Sequence, residues 1–368
     1  MPSEKGAERA ITSVTQIPGI LAGHATLPDA ATGCTVIVCP EGATGGVDVR
    51  GGAPATRETD LLRPEETVDV LHAVVLSGGS AYGLAASCGV AEELERRGCG
   101  LDVGVARVPI VSGACLFDLA CGDPHVRPGV EEGRAACAAA FERAGEPLGR
   151  GNVGAGAGCT VGKLAGPGRA MKSGLGEDVE CAGELVCGAV SAVNACGDVR
   201  DPDTGEKVAG MRTEDGHALA SSTDALLGGY AQMPLERTNT TISCVVTNAR
   251  LTKAQATKVA QMAADAYAHA ISPTHTTNDG DTVFVMATGA VEAPVDVVGA
   301  LAVRALGRAI ADGARQAEGA HGYPAARDLA GSQGGRSPRL FSPVPQTGHL
   351  GPAPSESPSQ THVCRLGP

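Results

Sequence analysis

One stretch just past the middle of the chain decides the fold, and it reads Arg237-Thr238-Asn239-Thr240-Thr241-Ile242-Ser243-Cys244-Val245-Val246-Thr247-Asn248. From Thr240 onward the residues alternate and are often β-branched, which predicts a β-strand over Thr240 to Thr247. The residues before it, Leu227 to Arg237, contain two glycines and a proline and therefore predict a loop. The sequence thus places a threonine at the head of a core strand, directly after a loop.

A threonine in this position suits an N-terminal-nucleophile hydrolase. In such enzymes the chain is cut just before the threonine, and the freed α-amino group, with a reference pKa of about 8, serves as the base for the threonine hydroxyl. A cut between Asn239 and Thr240 would divide the chain into residues 1–239 and 240–368. Two other readings remain open. Threonine is common in ordinary strands, and Asn239-Thr240-Thr241 matches an N-glycosylation acceptor.

Composition limits the class of protein. The 368 residues carry 29 basic and 41 acidic side chains, a net charge of −12, which argues against binding to nucleic acid or to an anionic membrane. The segment Met1 to Thr15 has no apolar core typical of a signal peptide, and no apolar run is long enough to span a membrane. We therefore expect a cytoplasmic protein. With 52 glycines and 2% aromatic residues, its layers should pack closely.

The cysteines do not indicate a redox or metal centre. The chain has 13 of them, no two in a Cys-x-x-Cys pair, and most lie in apolar runs, as Cys137 and Cys187 do. They are expected to be reduced core residues. Neither a metal ion nor an organic cofactor is predicted.

Strands and helices alternate along the chain. Apolar patterns and capping signals predict layers of helix against sheet, an α+β arrangement. The predicted strands are Cys34–Cys39, His72–Leu76, Leu185–Val199, Thr240–Thr247 and Thr282–Thr288, and the predicted helices are about Ala81–Arg97, Val130–Ala144, Thr252–Ile271 and Val295–Ala317. Glycine-rich loops are predicted over Gly42–Pro54 and Gly151–Gly158. Residues 1–16 are expected to be a flexible N-terminus, and residues 319–368, rich in Pro, Ser and Gly, a disordered tail.

Two glycine-rich turns carry candidate functional residues. Ser80 lies at a strand-to-helix turn, but a serine-hydrolase elbow requires Gly-x-Ser-x-Gly and the second glycine is one residue late, after Tyr82. The helix N-terminal N–H groups there could instead bind a substrate carbonyl, so Ser80 and Tyr82 are predicted substrate contacts. Lys163 ends a second glycine loop. This loop differs from a phosphate-binding loop at two positions, with Ala157 in place of glycine and Leu164 in place of serine or threonine. Lys163 is either a cleft ammonium or a surface lysine.

Three polar residues occupy apolar or turn contexts. Asn194 lies inside an apolar strand, where its amide must be hydrogen-bonded and is either structural or an oxyanion-hole donor. Asp279 and Asp281 flank a glycine before a core strand. This pattern is typical of a turn, and the two carboxylates could also orient an amine near a nucleophile.

Together these motifs resemble the L-aminopeptidase/D-esterase family of self-cleaving hydrolases, which includes the β-aminopeptidases and the nylon-oligomer hydrolase. The resemblance runs from about Ile17 to Arg315. It rests on Thr35-Val36-Ile37, Val47-Asp48-Val49-Arg50-Gly51-Gly52, Leu76-Ser77-Gly78-Gly79-Ser80-Ala81-Tyr82-Gly83-Leu84, Gly154-Ala155-Gly156-Ala157-Gly158 with Gly162-Lys163, Asn239-Thr240-Thr241-Ile242 and Asp279-Gly280-Asp281-Thr282-Val283-Phe284.

The resemblance implies an αββα sandwich formed by residues 17–239 and 240–318, self-cleavage between Asn239 and Thr240, and hydrolysis of a small peptide or amide. It implies that Thr240 is the nucleophile, Asn194 an oxyanion donor and Lys163 a neighbour of the nucleophile. Asp279 and Asp281 would position the new amine or the substrate. A homo-oligomer of cleaved protomers is also implied.

The chain departs from the family pattern at two places. Phe117, an expected substrate contact, falls near a position where some members have a tyrosine, and Asp279 stands where the aminopeptidase branch usually has a serine. Two rival functions follow from the same fold: an acyltransferase like ornithine acetyltransferase, whose usual Met-Ala-Thr-Met context is absent here, and a binding protein that does not cleave itself.

Overall fold

The computed structural model describes residues 11–229 and 239–330. Its strands are β1 Leu21–Leu27, β2 Thr32–Val49, β3 Thr56–Arg57, β4 Leu71–Ser77, β5 Leu101–Asp102, β6 Arg107–Val108, β7 Val111–Cys115, β8 Thr160–Val161, β9 Met171–Lys172, β10 Leu175–Ala182, β11 Leu185–Asn194, β12 Asp198–Arg200, β13 Lys207–Ala209, β14 Thr240–Ala249, β15 Ile271–Ser272 and β16 Thr282–Val291. Its α-helices are α1 Ala86–Arg96, α2 Val130–Glu142, α3 Ser222–Gly228, α4 Lys253–Ala263, α5 Asp265–Ala270, α6 Val295–Gln316 and α7 Ala326–Ala330.

The long strand β2 belongs to two sheets. Its first half pairs with β1 and β4, and β7 and β3 continue that sheet. Its second half pairs with β16, and the second sheet then runs through β14 and β11 to β10. The register of β2 against β4 shifts between Val38 and Ala43, which is where the strand passes from one sheet to the other. An irregularity of this kind bends a strand.

Alternating side chains on these strands build three apolar layers. On β14, Ile242, Cys244 and Val246 point between the two sheets, whereas Val245 points to the helices α4 and α6 on the outer face. A separate cluster joins α1 and α2 to the first sheet. The order is therefore helix, sheet, sheet, helix, and the predicted α+β class with an αββα sandwich is confirmed.

Strand β14 occupies the centre of the second sheet. It lies antiparallel to β11 and parallel to β16, and every one of its residues is buried. Register places Thr240 opposite Asn194, the last residue of β11, and β16 begins beside Ile242 at Thr282. The head of β14, the end of β11 and the residues just before β16 therefore meet at one end of the sheet.

Several predicted boundaries differ from the structure. The helices at Val130 and Val295 and the strand at Thr282 begin at the predicted residues. The predicted loop over Gly42–Pro54 is instead strand as far as Val49. Its glycines have a packing reason, since a Cβ on Gly46 would lie 2.4 Å from the carbonyl carbon of Ala256 on α4.

The ordered chain also extends further than predicted at both ends. Val14, assigned to a flexible N-terminus, is fully buried in the layer between the sheets. Residues 319–330, assigned to the tail, contain a β-bridge and helix α7. The apolar residues Val14, Ile17 and Ile20 could have indicated that the ordered chain starts before residue 17. The rest of the predicted tail and the loop residues 230–238 lie outside the described residues.

Replacing Gly176 by alanine tests the close contact between β10 and α6. The new Cβ would lie 2.1 Å from the Ala309 carbonyl oxygen and 2.2 Å from the Gly313 nitrogen, and neither backbone can yield without moving the helix. We expect Gly176→Ala to lower the free energy of unfolding by about 3 kcal/mol. Gly228→Ala is the control, because nothing lies within 4 Å of its Cβ, and should change it by less than about 1 kcal/mol. Equal effects in chemical denaturation would contradict the packing argument.

Candidate active site

Thr240 stands where β14 begins, with only 5% of its surface exposed. Thr240 is two residues from Ile242 on the same strand, so its side chain lies on the same face and points to the space between the sheets. Its Oγ1 donates a hydrogen bond to the carbonyl oxygen of Asn239, the residue before it. The hydroxyl therefore lies against the carbonyl of its own preceding peptide bond.

The segment Asp279–Asp281 lies alongside this peptide bond. Asn239 and Asp279 form a parallel bridge, and the Gly280 N–H donates to the Asn239 carbonyl oxygen at 3.1 Å. Glycine leaves room for the Thr240 hydroxyl, because a Cβ at position 280 would lie 2.9 Å from Thr240 Oγ1. The Asn239 carbonyl oxygen thus accepts from both a backbone N–H and the Thr240 hydroxyl.

Asn194 and Lys163 form a hydrogen-bonded pair beside Thr240. Asn194 is fully buried, and its Oδ1 accepts from Lys163 Nζ at 2.8 Å and from the Thr160 N–H at 3.1 Å. These two donors fix the amide orientation, so Nδ2 must donate, and it does so to the Phe117 carbonyl oxygen at 2.7 Å. Lys163 Nζ also donates to the Asn194 carbonyl oxygen at 2.9 Å.

Burial lowers the pKa of Lys163 from its ordinary value to about 8, despite the opposing effect of nearby acidic groups. An ammonium with this pKa can lose or gain a proton near neutral pH. Lys163 is half-buried, lines the cavity described below and is held by Asn194, so it is a cleft lysine and not a surface lysine.

The two aspartates differ in their surroundings. Asp281 accepts the Thr241 N–H at Oδ1, 2.7 Å away, and so holds the backbone just after Thr240. Asp279 accepts the Thr276 N–H at Oδ2, whereas its buried Oδ1 has no hydrogen-bond partner among the described residues. Burial, and then the charge of Asp281, raise the pKa of Asp279. Asp279 thus has a carboxylate oxygen without a partner among the described residues, and its backbone is bridged to Asn239.

His275 supports Asp281 and was not recognised from the sequence. Its Nδ1 lies 2.9 Å from Asp281 Oδ2, its ring stacks on Tyr267 with 5.1 Å between centroids, and its backbone N–H also contacts that carboxylate. Burial lowers the pKa of His275, but the hydrogen bond and charge of Asp281 outweigh burial and raise it overall. A histidine four residues from an aspartate pair was the only available signal in the sequence.

A cavity of about 390 Å³ opens beside these groups. Its wall is largely apolar, with Asn239, Lys163 and Thr160 as polar contributors from the site. The full lining is Phe117, Asp118, Ala120, Cys121, Gly158, Thr160, Lys163, Leu164, Gly166, Pro167, Cys196, Leu226, Asn239, Pro273, Thr276, Thr277, Asn278 and Tyr323. The volume lies in the range of small-molecule sites.

Of the three predicted substrate contacts, Phe117 lines the cavity, whereas Ser80 and Tyr82 do not. The Ser80 N–H donates a hydrogen bond to the carbonyl oxygen of Leu116, the residue before Phe117. Tyr82 is 62% exposed and stacks under the Arg127 guanidinium, 3.9 Å from the ring centre. The structure thus gathers Thr240, Asn194, Lys163 and both aspartates, and it leaves the Ser80 turn outside the cavity.

Lys172 is a second buried cation that sequence reasoning missed. It is fully buried, and its Nζ donates to the carbonyl oxygens of Ser173 at 2.6 Å, Cys159 at 2.9 Å and Gly156 at 3.3 Å. Desolvation lowers its pKa. Lys172 therefore fastens the glycine loop that forms part of the cavity wall.

No group of three or more His, Cys, Asp or Glu side chains suited to a metal ion occurs within residues 11–229 and 239–330.

The His275–Asp281 pair predicts a pH-dependent contribution to stability. A raised folded-state pKa means that the folded protein binds the proton more tightly, so the stabilisation is full below about pH 6.5 and is lost as the pH rises through the folded pKa. His275→Gln should therefore lower the free energy of unfolding by about 1–2 kcal/mol at acidic pH and by less at alkaline pH. His269→Gln, an exposed control, should show no such trend. A deficit that grows with pH would contradict the pairing.

Comparison with known proteins identifies the family. Residues 12–334 match the profile of peptidase family S58. An uncharacterized aminopeptidase of Mycobacterium leprae is 42% identical over 346 residues, covering 85% of this chain and 93% of that protein. A 6-aminohexanoate-oligomer endohydrolase of a Kocuria species is 32% identical over 284 residues, covering 75% of each.

Solved structures agree with the fold. A β-aminopeptidase of a Burkholderia species superposes with a TM-score of 0.61 at 20% identity, covering 88% of this chain and 95% of that one. The L-aminopeptidase D-Ala-esterase/amidase of Ochrobactrum anthropi, described as a variant of the Ntn hydrolase fold, superposes with a TM-score of 0.62 at 17% identity, covering 88% and 94%. The chain belongs to peptidase family S58 and is a hydrolytic enzyme.

Proposed function

We propose that this protein is a self-processing hydrolase of small peptides or amides that uses Thr240 as its N-terminal nucleophile. The observation that carries the proposal is the contact of Thr240 Oγ1 with the Asn239 carbonyl oxygen, which also accepts from the Gly280 N–H. A hydroxyl and a polarising donor therefore both lie at one peptide bond, at the head of the central strand.

Self-cleavage would proceed as an N-to-O acyl shift. Thr240 Oγ attacks the Asn239 carbonyl carbon and loses its proton, and the developing oxyanion accepts from the Gly280 N–H. The C–N bond then breaks, and the Thr240 nitrogen takes up the proton to leave as an amine. Water hydrolyses the resulting ester between Asn239 and Thr240 Oγ, which releases the Asn239 carboxylate and restores the hydroxyl.

The neighbouring residues have roles in this step that fit their contacts. Asp279 Oδ1, buried and without a hydrogen-bond partner among the described residues, is an acceptor for the freed amine. Asp281 holds the Thr241 N–H and with it the start of the strand. Lys163, whose pKa is about 8, can exchange a proton at neutral pH and fixes Asn194.

Substrate turnover would repeat the same chemistry on a second carbonyl. The Thr240 amine takes the hydroxyl proton, Oγ attacks the substrate amide carbon, and the leaving amine departs with a proton. Water activated by the same amine then hydrolyses the acyl ester. Asn194 Nδ2, oriented by the two donors on Oδ1, is the side-chain donor for the oxyanion.

The substrate is proposed to be a small, largely apolar amide. The cavity is mainly apolar and small, and the related proteins are named as an aminopeptidase and as an endohydrolase of an amide oligomer. These relatives favour hydrolysis over acyl transfer. Assembly of cleaved protomers into a homo-oligomer and a cytoplasmic location stay predictions. No helix among the described residues is long and apolar enough to cross a membrane.

Intact mass and N-terminal sequencing of the purified protein test the self-cleavage. We expect two fragments in the wild-type protein, one of them starting at Thr240. Thr240→Ala lacks the attacking oxygen and should stay whole. Thr240→Ser keeps an oxygen in the same place and should still be cut. A wild-type chain that remains whole after prolonged incubation would overturn the proposed mechanism.

Asn194→Ala tests the oxyanion donor. Removal of one such donor lowers kcat by about 100- to 1000-fold, so we expect a loss of this size with a smaller change in KM. Asn248→Ala is the matched control. Asn248 is a buried asparagine near the far end of β14, and its side chain accepts from the Val186 N–H at 2.9 Å and donates to the Glu184 carbonyl oxygen at 2.8 Å. The Asn248→Ala substitution should lower the melting temperature and leave kcat within about twofold of the wild-type value. Equal kcat losses in the two variants would assign Asn194 a structural role only.

A further inference from the structure

The chain after helix α6 turns back to the body of the protein and reaches the cavity. Ala320 and Tyr323 exchange two backbone hydrogen bonds, of 3.0 and 2.9 Å, around His321 and Gly322. Both central residues have positive φ, 51° and 83°, as in the tight turns that join antiparallel strands. Residues 319–330 thus form a defined structure, which we call the C-terminal strap.

Hydrogen bonds to other parts of the chain and one buried residue fasten the strap. The Pro324 carbonyl oxygen accepts from the Lys172 N–H at 2.8 Å, and Ala325 is fully buried. Asp328 Oδ2 accepts from the Ala325 N–H at 2.7 Å and so closes the first turn of α7. His321 Nε2 lies 3.1 Å from the Pro28 carbonyl oxygen. The strap is therefore anchored on both sides of Tyr323.

Lys172 links the strap to the glycine loop. Its backbone N–H holds Pro324, while its buried ammonium holds the carbonyl oxygens of Gly156, Cys159 and Ser173. Gly158 of this loop and Tyr323 of the strap both line the cavity. One lysine therefore fixes two separate parts of the same wall.

On the proposed mechanism, the cavity takes the acyl part of a substrate. In self-cleavage Asn239 supplies the acyl group that Thr240 attacks, and Asn239 lines the cavity. An amide that later takes the place of Asn239 must direct its own acyl group to the same space. The groups that surround this space, Phe117, Cys121, Leu164 and Tyr323 among them, are then the groups that contact the acyl chain.

We propose that Tyr323 is a specificity-determining residue of this hydrolase, whose ring limits the length of the apolar acyl group that the cavity accepts. This inference rests on the proposed function. The Tyr323 hydroxyl lies 3.5 Å from the Ala120 carbonyl oxygen, and Ala120 and Cys121 continue the wall. Desolvation, and then Cys121, raise the pKa of Tyr323, so that its side chain stays a neutral phenol at physiological pH.

The test compares p-nitroanilides of acetyl, butyryl, hexanoyl and octanoyl groups, with and without a terminal amine. Tyr323→Ala should raise the ratio of kcat/KM for the longest to the shortest acyl group by about tenfold or more, since apolar contacts discriminate by this amount. Tyr323→Phe retains the ring and should keep the wild-type ratio within about twofold. Mass spectrometry of each variant checks that self-cleavage is intact.

Two further variants separate the ring from the strap that holds it. A chain ending at Ala330 keeps Tyr323 and should keep the wild-type ratio, whereas a chain ending at Glu318 should behave like Tyr323→Ala. An unchanged ratio in a folded, self-cleaved Tyr323→Ala protein would overturn the inference.

A binding measurement keeps the two proposals distinguishable. If the wild-type protein cleaves none of these anilides, the proposed activity on such amides fails. Binding of acetamide, hexanamide and octanamide, measured by ligand-observed NMR, then tests Tyr323 alone. Tyr323→Ala should shift the preference toward octanamide relative to the wild-type protein. The same preference in both proteins would contradict a role for this ring.

Discussion

The site depends on the close approach of two backbone segments, Asn239–Thr240 and Asp279–Asp281. The Gly280 N–H reaches the Asn239 carbonyl oxygen, and Asp281 accepts the N–H of Thr241. These contacts fix the carbonyl on one side and the strand on the other, so the Thr240 hydroxyl has little freedom between them. A Cβ at position 280 would lie 2.9 Å from Thr240 Oγ1, so a side chain there would displace the hydroxyl. The glycine therefore contributes to the placement of the threonine side chain.

Helix and strand backbones also approach each other closely in the rest of the sandwich. Helix α6 meets β10 through glycine and alanine, and α4 meets β2 in the same way at Gly46. Small residues bring backbones together and leave little volume for aromatic rings, which agrees with the low aromatic content of the chain. The layers thus gain rigidity from dense contact between backbones, and this rigidity supports a site in which several groups must be held within hydrogen-bond distance.

The sequence predicted the central strand and the helices that follow it because their patterns are local. Thr240, Asn194, Lys163 and the aspartates were selected from motifs. The structure brings them together because the end of β11, the start of β14 and the segment before β16 meet at one end of the sheet. His275, Lys172 and Tyr323 were missed because their roles arise from contacts between distant parts of the chain. A buried lysine such as Lys172 has no signature in sequence, since lysine is normally exposed. The C-terminal strap was misjudged because its turn residues are also those of an unstructured tail.

The position of β14 and β16 within the second sheet has a consequence for the fate of the chain after a cut at Thr240. Both strands belong to the second piece, yet their outer neighbours, β11 and β2, belong to the first. The smaller piece is thus inserted between strands of the larger one and is held by a ladder of backbone hydrogen bonds along each side. Separation would require both ladders to open and two apolar layers to become exposed together. A cleaved protomer should accordingly melt in a single transition, and its two pieces should behave as one cooperative unit although no covalent bond joins them.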